Sequence, residues 1–419
     1  MNPAEHPIQS ETPFHGIAPF LRMSIAGADL QTIAQELLEK AKNNADDANL
    51  WMNLSIAMQC LGQRDLGLSI QSQALAMKRI YHIPATEQPA RFRLLMLMIA
   101  GDLSANTPLE CLLENGDIDL ILYYVSPDDP LAQPIPEHDA LIVAIGKVDD
   151  KRDLIESLAQ TLAQWPRPII NAPQHILATE RSVASMRLKD APGVLIPPTL
   201  HVSRSTLLEI EVGDASLSDL SGGFDFPVIL RPVGSQAGRD LARIDGPAEI
   251  LPYLARVDEE NFFLSRFVDY SSTDGLFRKF RIALIDGAAY ACHMAVSSHW
   301  MVHYVNAGMY EDARKREEEA SFMANFDDFV QRHRVALDAI HRRIGLDYFF
   351  IDCAETQDGQ LQIFETDHVM VVHAMDPEDM FPYKPVHIRK VQQAFRDYLF
   401  RQTAGQLPHT LEKPESGAH

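Results

Sequence analysis

Three uninterrupted apolar runs restrict the fold of this chain more than any other feature. Arg93–Ala100 (RLLMLMIA), Ile118–Val125 (IDLILYYV) and Ala140–Ile145 (ALIVAI) lack the alternation of a half-solvated strand. Both faces of each strand must therefore be covered. Helical patterns at Pro108–Asn115 and Lys151–Gln164 separate the strands, and Pro168–Asn171 adds a short fourth. Alternating strands and helices predict βαβ units and a small, open, mostly parallel sheet. No G-x-G-x-x-G follows any of these strands, so a dehydrogenase reading lacks its phosphate loop.

A chain of 419 residues exceeds one small core, and two or three domains are expected. Its formal net charge of -21 argues against nucleic-acid or anionic-membrane partners, because both require a basic surface. Cys60, Cys111, Cys292 and Cys353 show neither metal-ligand spacing nor disulfide-framework density, which fits a reducing cytoplasm. Met1–Ser24 lacks a basic start followed by an apolar core, and no apolar run has the length of a membrane span. A cytoplasmic protein is expected.

Residues 1–20, rich in proline and without apolar periodicity, read as a mobile arm. Leu30, Ile33, Leu37, Leu38 and Ala41 then recur at helical spacing, as do Trp51, Leu54, Ile56, Met58 and Leu61, and a third helix is expected over Arg64–Ile80. Trp51-x-x-Leu54, Met58 and Ala74 resemble one degenerate tetratricopeptide repeat. One helical pair builds no solenoid, so this segment reads either as a helical cap or as a groove for a protein partner. Pro84–Pro89 reads as a linker. The expected domains are 21–89 (helical), 90–175 (α/β) and 176–400, followed by a disordered tail at 401–419.

Chemistry concentrates in Gly345–His373. Tyr348–Cys353 and Leu361–Thr366 flank a Gln-Asp-Gly turn signal and predict a β-hairpin. Glu365 and Asp367, two residues apart, share a strand face that Asp352 can reach from the neighbouring strand. Three carboxylates there suit Mg²⁺ held with substrate phosphates, or are ordinary polar positions on a solvated sheet face. Upstream, Phe226–Pro232 is a strand with Arg231 near its end, followed by the loop Gly234–Arg239. Asn261–Tyr270 is another strand, Phe280–Ile285 and Ala288–Met294 form a hairpin, and Asp327–Ile344 is a long helix. The run Arg314–Glu319 reads as a solvated helix or loop.

In order and spacing, these parts resemble the ATP-grasp superfamily of carboxylate–amine ligases over roughly Arg91 to Leu399. The resemblance implies an α/β domain followed by a two-lobed ATP-grasp fold that holds ATP and Mg²⁺, with Mn²⁺ as a substitute. It implies Asp352, Glu365 and Asp367 as metal ligands, with Arg181 and Arg231 on phosphates. Gly234, Ser235, Gln236 and Gly238 would belong to a closing loop. Ser265, Arg266, Phe267 and Val268 would form the adenine strand, with Asp269 or Asp274 on the ribose, and Arg281 would steady the triphosphate or acyl phosphate. The chain departs from the family pattern in four ways: arginine stands for lysine at both phosphate positions, Ser265 for glutamate and Asp367 for asparagine, and His368–His373 replaces the usual Asn-Pro…Pro-Gly continuation.

His293, His299, His303, His368 and His373 fall in segments expected to flank an acceptor pocket, and His368 is the candidate general base. Trp300, Tyr304 and Asn306 are further candidates for its walls. The implied activity joins a small-molecule or peptide carboxylate to an amine, in a homo-oligomer with no nucleic-acid or membrane partner. A phosphotransferase on the same fold, or a catalytically degenerate scaffold that binds a partner through its N-terminal helices, are the alternatives.

Overall fold

A computed structural model describes residues 12–126, 130–146, 151–235 and 238–404, apart from the side chain of Val305. Four helices come first: α1 (Ile17–Ile25), α2 (Leu30–Asn43), α3 (Ala48–Cys60) and α4 (Arg64–Met77). Asp47 caps α3 by accepting the N–H groups of Asn49 and Leu50, which satisfies donors that have no partner within the helix. Residues 12–20 are docked, not an arm. Phe14, Ile17, Ala18 and Phe20 are buried, the His15 N–H donates to Asn53, and Asn53 donates to the Pro13 carbonyl. Residues 1–11, and the tail from 405 onward, lie outside the described residues.

The third helix stops three residues earlier than expected, and Ile80 opens a strand instead, β1 (Ile80–Ile83). The α/β unit continues with β2 (Phe92–Met98), α5 (Leu109–Leu112), β3 (Ile118–Tyr124), β4 (Ala140–Val143), α6 (Arg152–Leu162) and β5 (Ile169–Ile170). Its sheet runs in the order β1-β3-β2-β4-β5. β1 pairs antiparallel to β3, and the remaining pairs are parallel. The three apolar runs are the central strands, and both sheet faces are covered, with Leu94 and Met96 in one core and Leu95 and Leu97 in another.

Next come α7 (Pro173–Ile176), α8 (Arg181–Leu188) and β6 (Val194–Leu195). A first lobe follows: β7 (Thr199–Ser203), α9 (Arg204–Val212), α10 (Leu217–Ser221), β8 (Val228–Pro232), β9 (Ala242–Ile244), α11 (Ile250–Leu254) and β10 (Asn261–Arg266). Its four-stranded antiparallel sheet, β7-β10-β8-β9, encloses a core of its own around Leu207, Leu230, Tyr253 and Phe262.

The second lobe contains β11 (Phe277–Ile285), β12 (Ala288–Ser297), α12 (Ala313–Ala324), α13 (Phe326–Ile344), β13 (Tyr348–Glu355), β14 (Leu361–Asp367) and α14 (Lys384–Thr403). Its sheet order is β12-β11-β13-β14-β6, antiparallel except for the β14–β6 edge. Tyr348 and Phe350 share a core with Leu94 and Met96 of the α/β unit, whereas Phe349 and Ile351 join Leu95 and Leu97. The α/β unit and the second lobe are thus welded through both faces, and the first lobe is not.

Candidate active site

Strand register builds the site. Arg281 on β11 pairs with Asp352 on β13, and Asp352 pairs with Glu365 on β14, so the three lie in one row across the sheet. The β11–β12 and β13–β14 ladders both slip at this row, at Arg281/Ile282 and at Asp352/Cys353. Such bulges bend a strand and re-aim its side chains, and they recur beside functional sites.

Asp352 is 1% exposed. Arg281 grips it with a fork, Nε to Oδ1 at 2.8 Å and Nη2 to Oδ2 at 3.1 Å, and Lys279 Nζ sits 2.6 Å from Oδ2. Burial alone would raise the Asp352 pKa, but the two cations outweigh it and hold the group well below the usual carboxylate range. Glu365 pairs instead with Arg181 of α8, whose Nη1 also donates to the Phe364 carbonyl at 3.2 Å. Asp367 Oδ1 accepts the N–H groups of His368 (2.7 Å) and Val369 (3.1 Å). Its burial, followed by the charge of Glu365, pushes its pKa up to about 7.

These groups open onto a cleft of about 540 Å³ between the lobes, a size typical of small-molecule sites. The first lobe contributes Arg231, Gly238, Ser265, Arg266, Phe267 and Val268 to its lining, and the second contributes Lys279, Arg281, Asp352, Glu365 and Asp367. Arg181 completes the set. Arg231 is turned onto the loop that follows its strand, donating from Nε to Ser235 Oγ at 3.2 Å and also to the Ser235 carbonyl. Ser235 is buried and is not among the lining residues. Gly238 has φ +70°, and a Cβ there would lie 2.8 Å from His303 Nε2. Only glycine lets the loop meet that ring.

Several expected site residues lie elsewhere. Gly234 is not among the lining residues, and Gln236 lies outside the described residues. Asp269 accepts the Ser271 N–H, and Asp274 pairs with Arg278, which brings its pKa down to about 2; neither lines the cleft. His368 also stands outside it. The residue is 0% exposed, Nε2 donates to the Ile145 carbonyl at 2.8 Å, and burial brings its pKa down to about 4. The imidazole at this position joins the α/β unit to β14, and a general base would need access to substrate. Of the five histidines singled out, His293 and His303 line the cleft, and burial depresses the pKa of both.

Sequence reasoning passed over Lys279, although its position two residues before Arg281 puts both cations on one strand face. It also misjudged Glu319. Far from being solvated, this residue is 0% exposed and accepts hydrogen bonds from Met294 N, Tyr304 Oη and Tyr383 Oη. Met323, four residues on, marks the same buried face of α12.

Glu365 and Asp367 offer the oxygen donors that a hard divalent cation requires, and Asp367 has no ion pair with Lys or Arg among the described residues. Asp352 belongs to the same row, but it is committed to Arg281 and Lys279. Among the described residues no three His, Cys, Asp or Glu side chains already converge as a metal-holding group.

Fold and cleft together define a two-lobed α/β protein with a charged inter-lobe site. The chain matches no family model, and no curated protein matches it. Its structure is similar to that of D-alanine–D-alanine ligase from Bacillus anthracis complexed with ATP, with a TM-score of 0.44 and 12% identity, covering 74% of this chain and 96% of that one. VanG D-Ala:D-Ser ligase from Enterococcus faecalis gives 0.45 and 11%, covering 74% and 99%. A RimK domain protein ATP-grasp from Sphaerobacter thermophilus gives 0.41 and 14%, covering 74% and 99%.

Proposed function

We propose that this protein is an ATP- and Mg²⁺-dependent ligase of the ATP-grasp kind, which activates a carboxylate as an acyl phosphate and joins it to an amine. The observation that carries the reading is the charge of the cleft. Arg181, Arg231, Arg266, Lys279 and Arg281, five cations, face the three carboxylates Asp352, Glu365 and Asp367, an excess of two positive charges in a chain of net charge -21. A local cationic excess of that kind selects a polyanion, and carboxylates among the cations suit one that arrives with a divalent ion.

In this reading Glu365, Asp367 and Asp352 hold Mg²⁺, which when bound neutralises phosphate charge and polarises the γ-phosphoryl group. Arg231 stiffens the loop through Ser235 while facing the phosphates, and Phe267 and Val268 take the base. A substrate carboxylate oxygen attacks the γ-phosphorus, and the bond to the β–γ bridging oxygen breaks with that electron pair leaving on ADP. The amine nitrogen then attacks the carbonyl carbon, inorganic phosphate departs, and the nitrogen loses a proton. Arg281 stands where charge develops in both steps. The neutral imidazole of His303, against Gly238, is positioned to take the amine proton and to close the loop against water.

The test is ADP release from ATP across a panel of carboxylates and amines, with mass detection of the product. Replacing Arg281 with Ala should lower turnover about 100-fold or more, and Asp367→Ala should abolish it. Mg²⁺-dependent turnover that survives Asp367→Ala would refute the metal assignment, and a phosphorylated product without an amide would make the enzyme a phosphotransferase.

A further inference from the structure

Asp352 has two oxygens and is asked to serve three cations. Lys279 and Arg281 reach it from one face of β11, Arg281 in a fork at 2.8 and 3.1 Å and Lys279 at 2.6 Å from Oδ2. Oδ2 therefore already receives both an ammonium and a guanidinium N–H. The pair of cations leaves this carboxylate over-neutralised, with a local charge of one positive unit. A divalent ion approaching it meets an ammonium a few ångströms away and must take a lone pair that Lys279 holds. Of the two cations, Lys279 is the one able to yield. Its charge is compact and sits on a flexible four-carbon stem, whereas the Arg281 fork matches the carboxylate in two bonds at once.

Resting on the nucleotide reading, we propose that Lys279 and a divalent cation compete for Asp352, so that the ion enters only together with a polyphosphate, which gives the displaced ammonium an anion of its own. Lys279 lines the same cleft as Arg181 and Arg231, so phosphate oxygens held by those arginines lie where the displaced side chain would turn. Free divalent cation is refused and nucleotide-bound cation is accepted, which makes Lys279 the element that couples the two ligands. A coupling of this kind is reciprocal, so the ion must tighten nucleotide as much as nucleotide tightens the ion.

The experiment measures Mn²⁺ binding to the full chain, with and without ADP, by the paramagnetic signal of free Mn²⁺ and by calorimetry. It compares the wild type with Lys279→Met and Lys279→Arg, and thermal melting verifies that each is folded. Lys279→Met is expected to bind Mn²⁺ alone about tenfold or more tightly than the wild type and to lose most of the gain that ADP brings. Lys279→Arg keeps the charge and should keep the wild-type refusal of free Mn²⁺. If Lys279→Met does not fold, Lys279→Gln carries the same expectation. Equal Mn²⁺ affinities in wild type and the uncharged variant, with ADP binding intact, overturn this inference alone. A wild type that binds no ADP with or without Mn²⁺ overturns the nucleotide reading and this inference with it.

Discussion

Asp352 and Asp367 lie on adjacent strands of one sheet, and their surroundings drive them in opposite directions. Asp352 is held ionised by Arg281 and Lys279. Its folded pKa is depressed, so its stabilisation is fully present above the unfolded value of roughly 4 and fades as pH falls below it. Asp352→Asn should cost about 3–5 kcal/mol near neutrality, because two cations are left beside a neutral amide. The gap between variant and wild type in thermal melts should narrow below about pH 4. Asp367 has the reverse sign, since its folded pKa is raised to about 7. Between the unfolded value and pH 7 the folded state retains a proton that the unfolded state has lost, so stability falls as pH rises through that window. Asp367→Asn should therefore melt at a temperature at least about 2 °C above the wild type at pH 8, with little difference at pH 4. A variant that melts below the wild type at pH 8 would contradict the strain assigned to this carboxyl. None of this contrast is visible in the sequence, where both residues are aspartates in strands. It depends on Lys279 and Arg281 approaching Asp352 across the β11–β13 ladder, and the Arg281 contact spans 71 residues of the chain.

At the scale of elements, continuous apolar runs and hairpin signals were readable because their information is local. β2, β3, β4 and the β13–β14 hairpin stand where the pattern puts them. What escaped was short, or was marked by long-range pairing. β1 has four residues and exists through its ladder with β3. α1 was hidden by Pro19, which sits in the first turn of the helix, where a missing N–H costs nothing because that donor has no partner within the helix. The docking of α1 is itself testable. Gly16, its N-cap, has φ +68°, and a Cβ there would lie 2.5 Å from Ile83 Cδ1. Gly16→Ala should cost about 1–3 kcal/mol through strain and overpacking, seen as faster proteolysis N-terminal to α2 with the rest of the chain intact. Glu319 on α12 is a second case, its burial masked by the charged residues before it. It ties Tyr304 of the cleft wall to Tyr383, just before α14, and Lys384 closes the cluster by donating to Asp376 at 2.9 Å. Glu319→Ala leaves the Met294 N–H and both hydroxyls short of an acceptor and removes a carboxylate 3.9 Å from Lys384 Nζ, and a loss of about 3 kcal/mol or more is expected in denaturant unfolding.

For the whole molecule, the partition of the cores decides what can move. The α/β unit and the second lobe share both of their large cores. Asn171 reinforces the weld, donating from Nδ2 to the Tyr348 carbonyl at 2.7 Å and accepting from the N–H groups of Asp347 and Tyr348 at 3.0 and 2.9 Å. Among the described residues, the first lobe packs its core from within residues 200–264. The chain enters it through Ile196-Pro197-Pro198 and leaves it through Phe267-Val268, segments outside any strand or helix. A lobe with a private core and two short connections is free to turn as a body, and the cleft lies along the boundary about which it would turn. Arg231 and the Gly238 loop ride on this lobe, whereas Lys279, Arg281 and the three carboxylates ride on the other. Polyanion bound between two cationic surfaces draws them together, so Mg²⁺ with a non-hydrolysable ATP analogue should close the cleft. In hydrogen exchange, protection should rise at the connections 196–198 and 267–268 and in the loop after β8, while the interior of β8 and β10 stays unchanged. Solution scattering should show a smaller radius of gyration. Protection that rises instead throughout β2–β4 would mean that the α/β unit, not the first lobe, is the moving body. Asn171→Ala separates the two cases independently: it loosens the weld and should lower the melting temperature without changing how far the first lobe closes.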